Sequence, residues 1–396
     1  MSEISRQGDL LFLPPCMRVY FDNAATTQLD REVIDAMIPF MESHFGNPSA
    51  IHFYGRETRA AIEKARKTIA KYLNCTPGEI FFTSGGTEAN NMAIRCAVKA
   101  YNLKHIISSP IEHHCVQHTV EALAKEGINV HYVQVDEQGR FDLNHLEELL
   151  KSIGDRCLVT LMHGNNEIGT MMDLNAVGEL VKKYNGIFHS DTVQTMAHFP
   201  FDLKNLKVDF ISGAAHKFHG PKGVGFIYIH HSIHIPPMIF GGAQERNMRA
   251  GTENVYGIVG LAKAMEISNE HLDEVKTQIS GIKNYMKEQL RQNFADVEFN
   301  GDPENSLYTV LNTSFPLNNK TQLLLFNLDM AGICASSGSA CSSGSNETSH
   351  VLEAIKADPN RVAIRFSFSK YNTRDEVDFV IEKLKTLVSE PATIAS

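Results

Sequence analysis

Two side chains in this sequence are of kinds that form covalent bonds with substrates, and each sits in a stretch suited to that use. The first is Lys217, in Ile211-Ser212-Gly213-Ala214-Ala215-His216-Lys217-Phe218-His219-Gly220-Pro221-Lys222-Gly223. An apolar run, Val208 to Ile211, reads as a short buried strand ending in small residues before a turn rich in Gly and Pro. A lysine held there is partly desolvated, which lowers its pKa and makes the neutral amine a nucleophile for carbonyls. Alone, it reads equally as a surface lysine in a loop. The second is Cys341, in the serine-glycine run from Ala335 to Ser345. That run reads either as a plain linker or as a tether carrying a nucleophile. About six residues of extended chain reach roughly 20 Å. An exposed thiol with a pKa of about 8.5 keeps a useful thiolate fraction near neutral pH, and thiolates attack sulfur well.

Other stretches supply what a carbonyl-bearing coenzyme such as pyridoxal phosphate requires. Thr83-Ser84-Gly85-Gly86-Thr87-Glu88 follows a strand and opens a helix, so the backbone N–H groups near Gly86 and the Thr87 hydroxyl suit a phosphate. The spacing is neither a Walker loop nor GxGxxG. His189-Ser190-Asp191-Thr192-Val193-Gln194 places a carboxylate at a strand end among apolar neighbours. A pyridinium N–H would satisfy Asp191 and keep the ring electron-withdrawing, and Gln194 could donate to a ring hydroxyl. His113, in Ser109-Pro110-Ile111-Glu112-His113-His114-Cys115, could stack on the ring. His114, Cys115 and His118 also have metal-like spacing, but a solvated helix start accounts for His114 and His118 more simply. His163-Gly164-Asn165-Asn166-Glu167 reads first as a turn, with Asn166 able to orient a carboxylate. Arg365, on an apolar strand, must meet an anion, either a substrate carboxylate or an internal Asp or Glu. The loop Arg246 to Thr252 could add a phosphate donor or a subunit contact.

The elements that must position these groups follow from periodicity. Strands are expected at Ile80–Thr83, His105–Ser108, Val130–Val135, Leu158–Met162, Ile187–His189, Val208–Ile211 and Val224–Ile229. Helices fit between most of them, for example at Glu88–Tyr101, Val116–Lys125 and Asp173–Tyr184. The alternation predicts an α/β fold with a mostly parallel seven-stranded sheet covered on both faces, its ligands at the carboxyl ends of the strands. A long helical region from Val255 to Phe294 is expected to break at Gly257, Gly260 or Gly281. A smaller α+β unit follows, with strands near Tyr308–Asn312 and Val362–Phe368, a helix near Thr321–Met330 and a last helix from Arg374. The expected division is a large domain over 18–258, and a small domain over 1–17 and 259–396 carrying the loop at about 335–349.

Composition narrows the function. A chain of 396 residues exceeds one small core, so two domains are the prior. A net charge of −9 with no basic run argues against general nucleic-acid binding. No apolar run reaches the length of a membrane span, and the N-terminus lacks the basic start of a signal peptide, which makes the cytoplasm the default. Seven cysteines without regular spacing read as free thiols in a reducing compartment.

Taken together, these stretches resemble the pyridoxal-phosphate-dependent cysteine desulfurases of the NifS/IscS family, within the class V aminotransferase group of fold type I. The resemblance runs from Val19 to about Leu387. It is carried by Tyr20 to Thr27, Phe45-Gly46-Asn47-Pro48, Thr83 to Glu88, Met162 to Gly169, Ala215-His216-Lys217 with Gly220-Pro221-Lys222-Gly223, Met248 to Thr252 and Ser336 to Ser343. The Ser-Ser-Gly-Ser-Ala-Cys tether is similar to that of the long-loop subgroup. The resemblance implies that Lys217 forms the Schiff base, that His113 stacks on the ring and carries protons, and that Asp191 and Gln194 meet the ring nitrogen and hydroxyl. It further implies that Gly86, Thr87 and His216 bind the phosphate, with Thr252 arriving from the other subunit of a homodimer. Asn166, Arg365 and Asn47 would orient the substrate carboxylate, and Cys341 would take sulfur from L-cysteine, releasing L-alanine. A sulfur-acceptor protein, either an iron–sulfur scaffold or a tRNA-thiolation enzyme, is the implied partner. The alternatives are a selenocysteine lyase or an aminotransferase on the same scaffold, or a non-catalytic sulfur-relay or metal-binding protein. Two features depart from the family pattern: Ala214 stands where a phosphate-binding Ser is usual, and the sequence stops at Ser396 without the longer tail some members use to dock a scaffold.

Overall fold

The structure is a computed structural model and describes residues 18–337 and 349–388. The chain opens with β1 (Val19–Tyr20), α1 (Arg31–Glu42) and α2 (Phe53–Tyr72). The alternating part then comprises β2 (Ile80–Thr83), α3 (Gly86–Ala100), β3 (His105–Ser108), α4 (His114–Lys125) and β4 (Asn129–Tyr132). It continues with α5 (Leu143–Ile153), β5 (Leu158–Thr160), α6 (Leu174–Lys183), β6 (Ile187–Ser190), β7 (Phe210–Ala214) and β8 (Gly225–Ile229). The seven strands form one sheet in the order β2-β8-β7-β6-β5-β3-β4. Only β8 runs antiparallel to its neighbours β2 and β7. The expected mostly parallel sheet is therefore present. β7 lies later than expected, because Asp209 is spent before it: Asp209 N–H donates to Phe188 O and its carboxylate accepts from Lys182 and Phe188 N–H.

α5 was not anticipated, although its start is written locally. Asp142 caps it by accepting from Asn144 and His145 N–H, and Gly154 ends it at φ 67°. Asp173 caps α6 in the same way. The turn from β2 into α3 needs glycine twice. Gly85 adopts φ 152°, and a Cβ on Gly225 would lie 2.8 Å from the Gly85 Cα. That close approach lets β8 run directly beneath the start of α3.

The long helical region is two helices, α7 (Val255–Glu270) and α8 (Leu272–Asn293), and the break falls at His271, not at a glycine. Gly257 and Gly260 stay inside α7, where a Cβ on Gly260 would lie 2.6 Å from Met37 Sδ. Gly260 serves close packing of α7 on α1, and Gly257 makes room for the Asn254 side chain that caps the helix. The break instead marks a change of core. Residues of α2 and α7 share one apolar cluster on one face of the sheet, and α3 and α4 pack on the other face. α8 belongs to a third cluster, with β9 (Glu298–Asn300), β10 (Val310–Pro316), α9 (Leu324–Met330), β11 (Ile333–Cys334), β12 (Arg361–Ser367) and α11 (Arg374–Val388) arranged around it, while α10 (His350–Ala354) packs with Ile111 and Ile168 in a small separate cluster. β12, β10 and β9 form an antiparallel sheet, and β1 pairs with β11, which brings Val19 and Phe21 into this third core. No helix among the described residues is long and apolar enough to cross a membrane.

Ionisable groups inside this framework set its response to acid. Burial pushes His163, His189, His216 and His219 each down to about 4. Burial also pushes the Glu112 carboxyl up to about 8. A buried ion pair ties α2 to the loop before α7: Arg66 Nη2 and Nη1 donate to Glu245 Oε1 and Oε2 at 2.7 and 2.8 Å, and Phe82 N–H donates to Oε2 at 2.7 Å.

Two expectations follow. Glu245→Ala leaves the buried Arg66 guanidinium with only the half-exposed Glu63 as counter-charge and costs about 3–5 kcal/mol, whereas Arg66→Met with Glu245→Leu together cost far less. Guanidinium unfolding curves test this, and equal losses in the single and double variants would contradict it. As pH falls, the four histidines remain neutral in the folded chain while their unfolded counterparts gain protons near 6.5. Glu112 acts in the opposite sense, so unfolding takes up about three protons between pH 6.5 and 4.5 (four less one). Thermal melts should show the midpoint dropping steadily across that window and little change from pH 7 to 6.5.

Candidate active site

The carboxyl ends of β3, β5, β6 and β7 and the start of α3 converge on one cavity of about 230 Å³. Nine of the expected site residues line it: Gly86, Thr87, His113, Asn166, Asp191, Gln194, His216, Lys217 and Arg365. Asn47 and Thr252 do not. Both are exposed, and the Asn47 side chain accepts from Ser49 N–H instead. Cys341 lies outside the described residues.

Lys217 follows β7 on a short turn of 3-10 helix. Its Nζ donates to Ala24 O at 2.6 Å and Ala25 O at 2.9 Å. Gln194 Nε2 also donates to Ala24 O, at 3.0 Å. The Ala24–Ala25 turn thus acts as a carbonyl clamp over the pocket, a role its small side chains did not announce. Thr27 N–H donates to His216 O at 2.9 Å and locks that turn against the lysine turn.

Asp191 is buried at the end of β6 and its charge is fully solvated by the protein. Oδ2 accepts from Asn90 Nδ2 at 2.7 Å, while Oδ1 accepts from Val193 N–H at 2.9 Å and Ser212 Oγ–H at 3.4 Å. Behind it runs a buried polar chain. His189 Nε2 is 3.1 Å from Asn90 Oδ1, and His189 Nδ1 is 2.8 Å from Thr160 Oγ. A neutral His189 has one N–H. Placing it on Nε2 satisfies Asn90 Oδ1 and leaves Nδ1 to accept from Thr160, which in turn fixes the Asn90 amide with its NH₂ on Asp191. Asn90 lay in a helix with no motif around it, and only the fold brings it here.

His113 caps α4, its Nδ1 accepting from Cys115 N–H at 3.1 Å. In the neutral ring the transferable proton is therefore on Nε2. Burial lowers the His113 pKa, with Asp191 pulling up and Lys217 pushing down. Next to it, Glu112 was overlooked. It is fully buried, with Oε1 accepting from Ser109 Oγ–H at 2.7 Å and Met162 N–H at 2.9 Å, and Oε2 has no partner. Burial makes it a neutral acid at pH 7. Its position between Ser109-Pro110 and the histidine pair was visible; its burial was not. His114 stacks on His118 at 5.2 Å and on His350 at 4.7 Å between ring centroids.

His216 Nδ1 lies 3.2 Å from Thr26 Oγ, and burial followed by the Lys217 charge makes it neutral. Arg365 resolves its two readings into one arrangement. It is 1% exposed, lines the cavity and pairs internally: Nη2 donates to Asp22 Oδ1 at 2.8 Å and Nη1 to Asn166 O at 2.9 Å. Among the described residues its Nε is buried without a partner. The two chain ends flanking residues 338–348 are held at this same place. Ser336 pairs through its backbone with Arg365 and donates its hydroxyl to Asp22 Oδ1. Ser349 Oγ–H donates to Glu167, and His350 Nε2–H to Glu112 O.

An amine beside a solvated carboxylate, a helix N-terminus and a buried guanidinium suits an anionic ring compound with a carbonyl, together with a carboxylate-bearing second reactant. Known proteins carry the same plan. The Aminotransferase class-V family matches residues 19–380. Cysteine desulfurase IscS of Dictyoglomus turgidum is 44% identical over 382 residues, 95% of this chain and 96% of its own. A solved NifS-like protein superposes with a TM-score of 0.87 at 41% identity, over 93% of this chain and 99% of that one. A structure described as SspA in complex with cysteine superposes with a TM-score of 0.78 at 31% identity, over 90% of this chain and 100% of that one. The seven-stranded sheet, the lysine after β7 and these likenesses over nearly the whole length agree: the chain belongs to the class-V aminotransferase family, in its NifS/IscS cysteine desulfurase branch.

Proposed function

We propose that the chain converts L-cysteine to L-alanine, moving the sulfur to the Cys341 thiol as a persulfide for a sulfur-acceptor protein. The reaction balances without an outside oxidant: cysteine and the Cys341 thiol become alanine and Cys341–S–SH. The observation that carries this reading is the convergence of Lys217, Asp191, His113, the α3 N-terminus and Arg365 on one cavity.

The residues fit pyridoxal phosphate. The start of α3 is open to an anion because residue 86 has no side chain; a Cβ there would lie 2.6 Å from Val193 Cγ2. Gly86, Thr87 and His216 would hold the phosphate, the last as a neutral N–H donor, and Ala214 supplies no hydroxyl among them. Thr252 of a second subunit would complete that site in a homodimer. Asp191 would meet the ring nitrogen, Gln194 the ring hydroxyl and His113 the ring face. When bound, the coenzyme supplies an aldehyde for amines and a sink for the electron pair at the substrate α-carbon.

The protein's own part is positional and acid–base. Lys217 gives up the Ala24 and Ala25 carbonyls when its amine is used, and the freed amine takes the α-proton. Asp191 is held in place by three donors, Asn90 Nδ2, Val193 N–H and Ser212 Oγ–H. His113 moves a proton at Nε2 while Nδ1 remains on the Cys115 N–H. Asn166 and Arg365 orient the substrate carboxylate, together with Asn47, and Arg365 Nε, unpartnered among the described residues, is a donor for that use. Cys341 reaches the substrate sulfur from a tether whose two ends are fixed at the pocket. The relative solved with cysteine supports that substrate. The reading takes 18–258 as the coenzyme-binding domain and 1–17 with 259–396 as the domain carrying the tether, in a protein of the cytoplasm.

The direct test is a visible spectrum before and after adding L-cysteine, with alanine and persulfide measured together. Equal yields of the two in one turnover are expected; a protein that stays colourless with added coenzyme, with no borohydride label on Lys217, contradicts the reading. Cys341→Ser should keep the coloured coenzyme and form no persulfide. Asn90→Ala removes one donor from the Asp191 carboxylate, a bond worth about 1.5–3 kcal/mol. Its coenzyme affinity or kcat should fall by roughly 10- to 100-fold, and an unchanged variant would remove Asn90 from the assignment.

A further inference from the structure

A second cavity, of about 620 Å³, lies between α8, the β9–β10 sheet and the turn at Glu137–Gln138. Lys283, Lys287 and Arg291, four residues apart on α8, share one face and line it. Among the described residues none of the three forms an ion pair. Lys283, half-buried, donates Nζ to two neutral oxygens, Leu307 O at 2.7 Å and Ser306 Oγ at 3.2 Å. Lys287 Nζ and Arg291 Cζ lie 5.3 and 5.2 Å from the centre of the Phe299 ring. The acids on the same wall are engaged elsewhere or face water. Glu298 pairs with Arg361 at 3.2 Å, Asp302 pairs with Arg140 at 2.7 Å, and Glu137 is exposed.

We propose that this cavity binds a small oxyanion carrying two or more negative charges, of the phosphate or polycarboxylate class. Three cations gathered on one helix face without a counter-charge repel one another, and a bound polyanion removes that cost. The repulsion is visible in the groups themselves. Burial and then Lys287 push Lys283 down to about 8, and burial and then Arg291 lower Lys287. The cavity is also connected to the active site. Asn300 Nδ2, on its wall, donates to Asn312 Oδ1 at 2.8 Å, and Asn312 Nδ2 donates to Glu167 O at 3.1 Å. Glu167 follows Asn166 and holds Ser349.

The test is calorimetric titration of the full-length protein with inorganic pyrophosphate, and separately with citrate, in excess pyridoxal phosphate so that the coenzyme's phosphate subsite is filled. One saturable site per chain is expected for at least one of the two, and the tighter probe names the class. Near pH 8 binding should take up protons, because an anion raises the Lys283 pKa; the heat then varies with buffer ionisation enthalpy. Lys283→Met and, independently, Lys287→Gln should each weaken binding about tenfold or more with unchanged thermal midpoints. No saturable binding of either probe, or wild-type affinity in both variants, overturns the proposal. Since the readout is binding alone, failure here leaves the desulfurase reading untouched.

Discussion

The site is organised around a negative charge kept in the interior. Asp191 is 6% exposed at the end of a central strand, where a carboxyl group without hydrogen-bond partners would be costly. Three donors supply them, and each comes from a different element: Asn90 from α3, Val193 from the turn after β6 and Ser212 from β7. The geometry of the sheet is therefore a condition of the chemistry. Slip β7 by one residue and Ser212 leaves; rotate α3 and Asn90 leaves. The buried chain through His189 to Thr160 orients the amide so that it donates and does not accept. Such a network is worth having only when complete, because each member left over would be a buried orphan.

Arg365 plays the corresponding part on the other wall. It sits on β12, in the third core, yet its guanidinium ends on Asp22 and on the carbonyl of Asn166. One side chain thus joins a strand of the third core to the turn that clamps Lys217 and to the loop after β5. Ser336 adds its hydroxyl to the same Asp22 oxygen. Lys370 and Tyr371 make a second such tie, both meeting Asp30 ahead of α1. The chain before residue 338 is in this way tied to the same Asp22–Arg365 pair that lines the cavity.

Much of this was legible in the sequence, for identifiable reasons. Strands such as Ile80–Thr83 and His105–Ser108 are short apolar runs bounded by polar turns, and both appear with their expected limits. Lys217, Asp191 and the Gly85-Gly86-Thr87 turn stand at strand ends, where a parallel sheet places its ligands. What was not legible depends on distance through space. Asn90 and Asp191 are 101 residues apart, and neither stretch refers to the other. The break between α7 and α8 was sought at glycines because glycine weakens helices, but tertiary packing held those glycines inside α7 and put the break where the core changes. Glu112 stands beside two histidines in the sequence, and only the fold shows that it is buried. Asn47 and Thr252 match the family pattern yet stand apart from the cavity of their own chain.

The charges that survive in the pocket are few, and that sparseness follows from burial. His113, His163, His189 and His216 all have lowered pKa values, and Glu112 has a raised one. Near neutral pH each of these groups is uncharged, although by residue type the region looks crowded with ions. The carboxylate of Asp191 and the Asp22–Arg365 pair then stand out against a background of neutral donors and acceptors. In a medium of low effective dielectric, a few fixed charges exert more control than many mobile ones. The neutral histidines remain available for moving protons, which a permanently charged ring would do poorly.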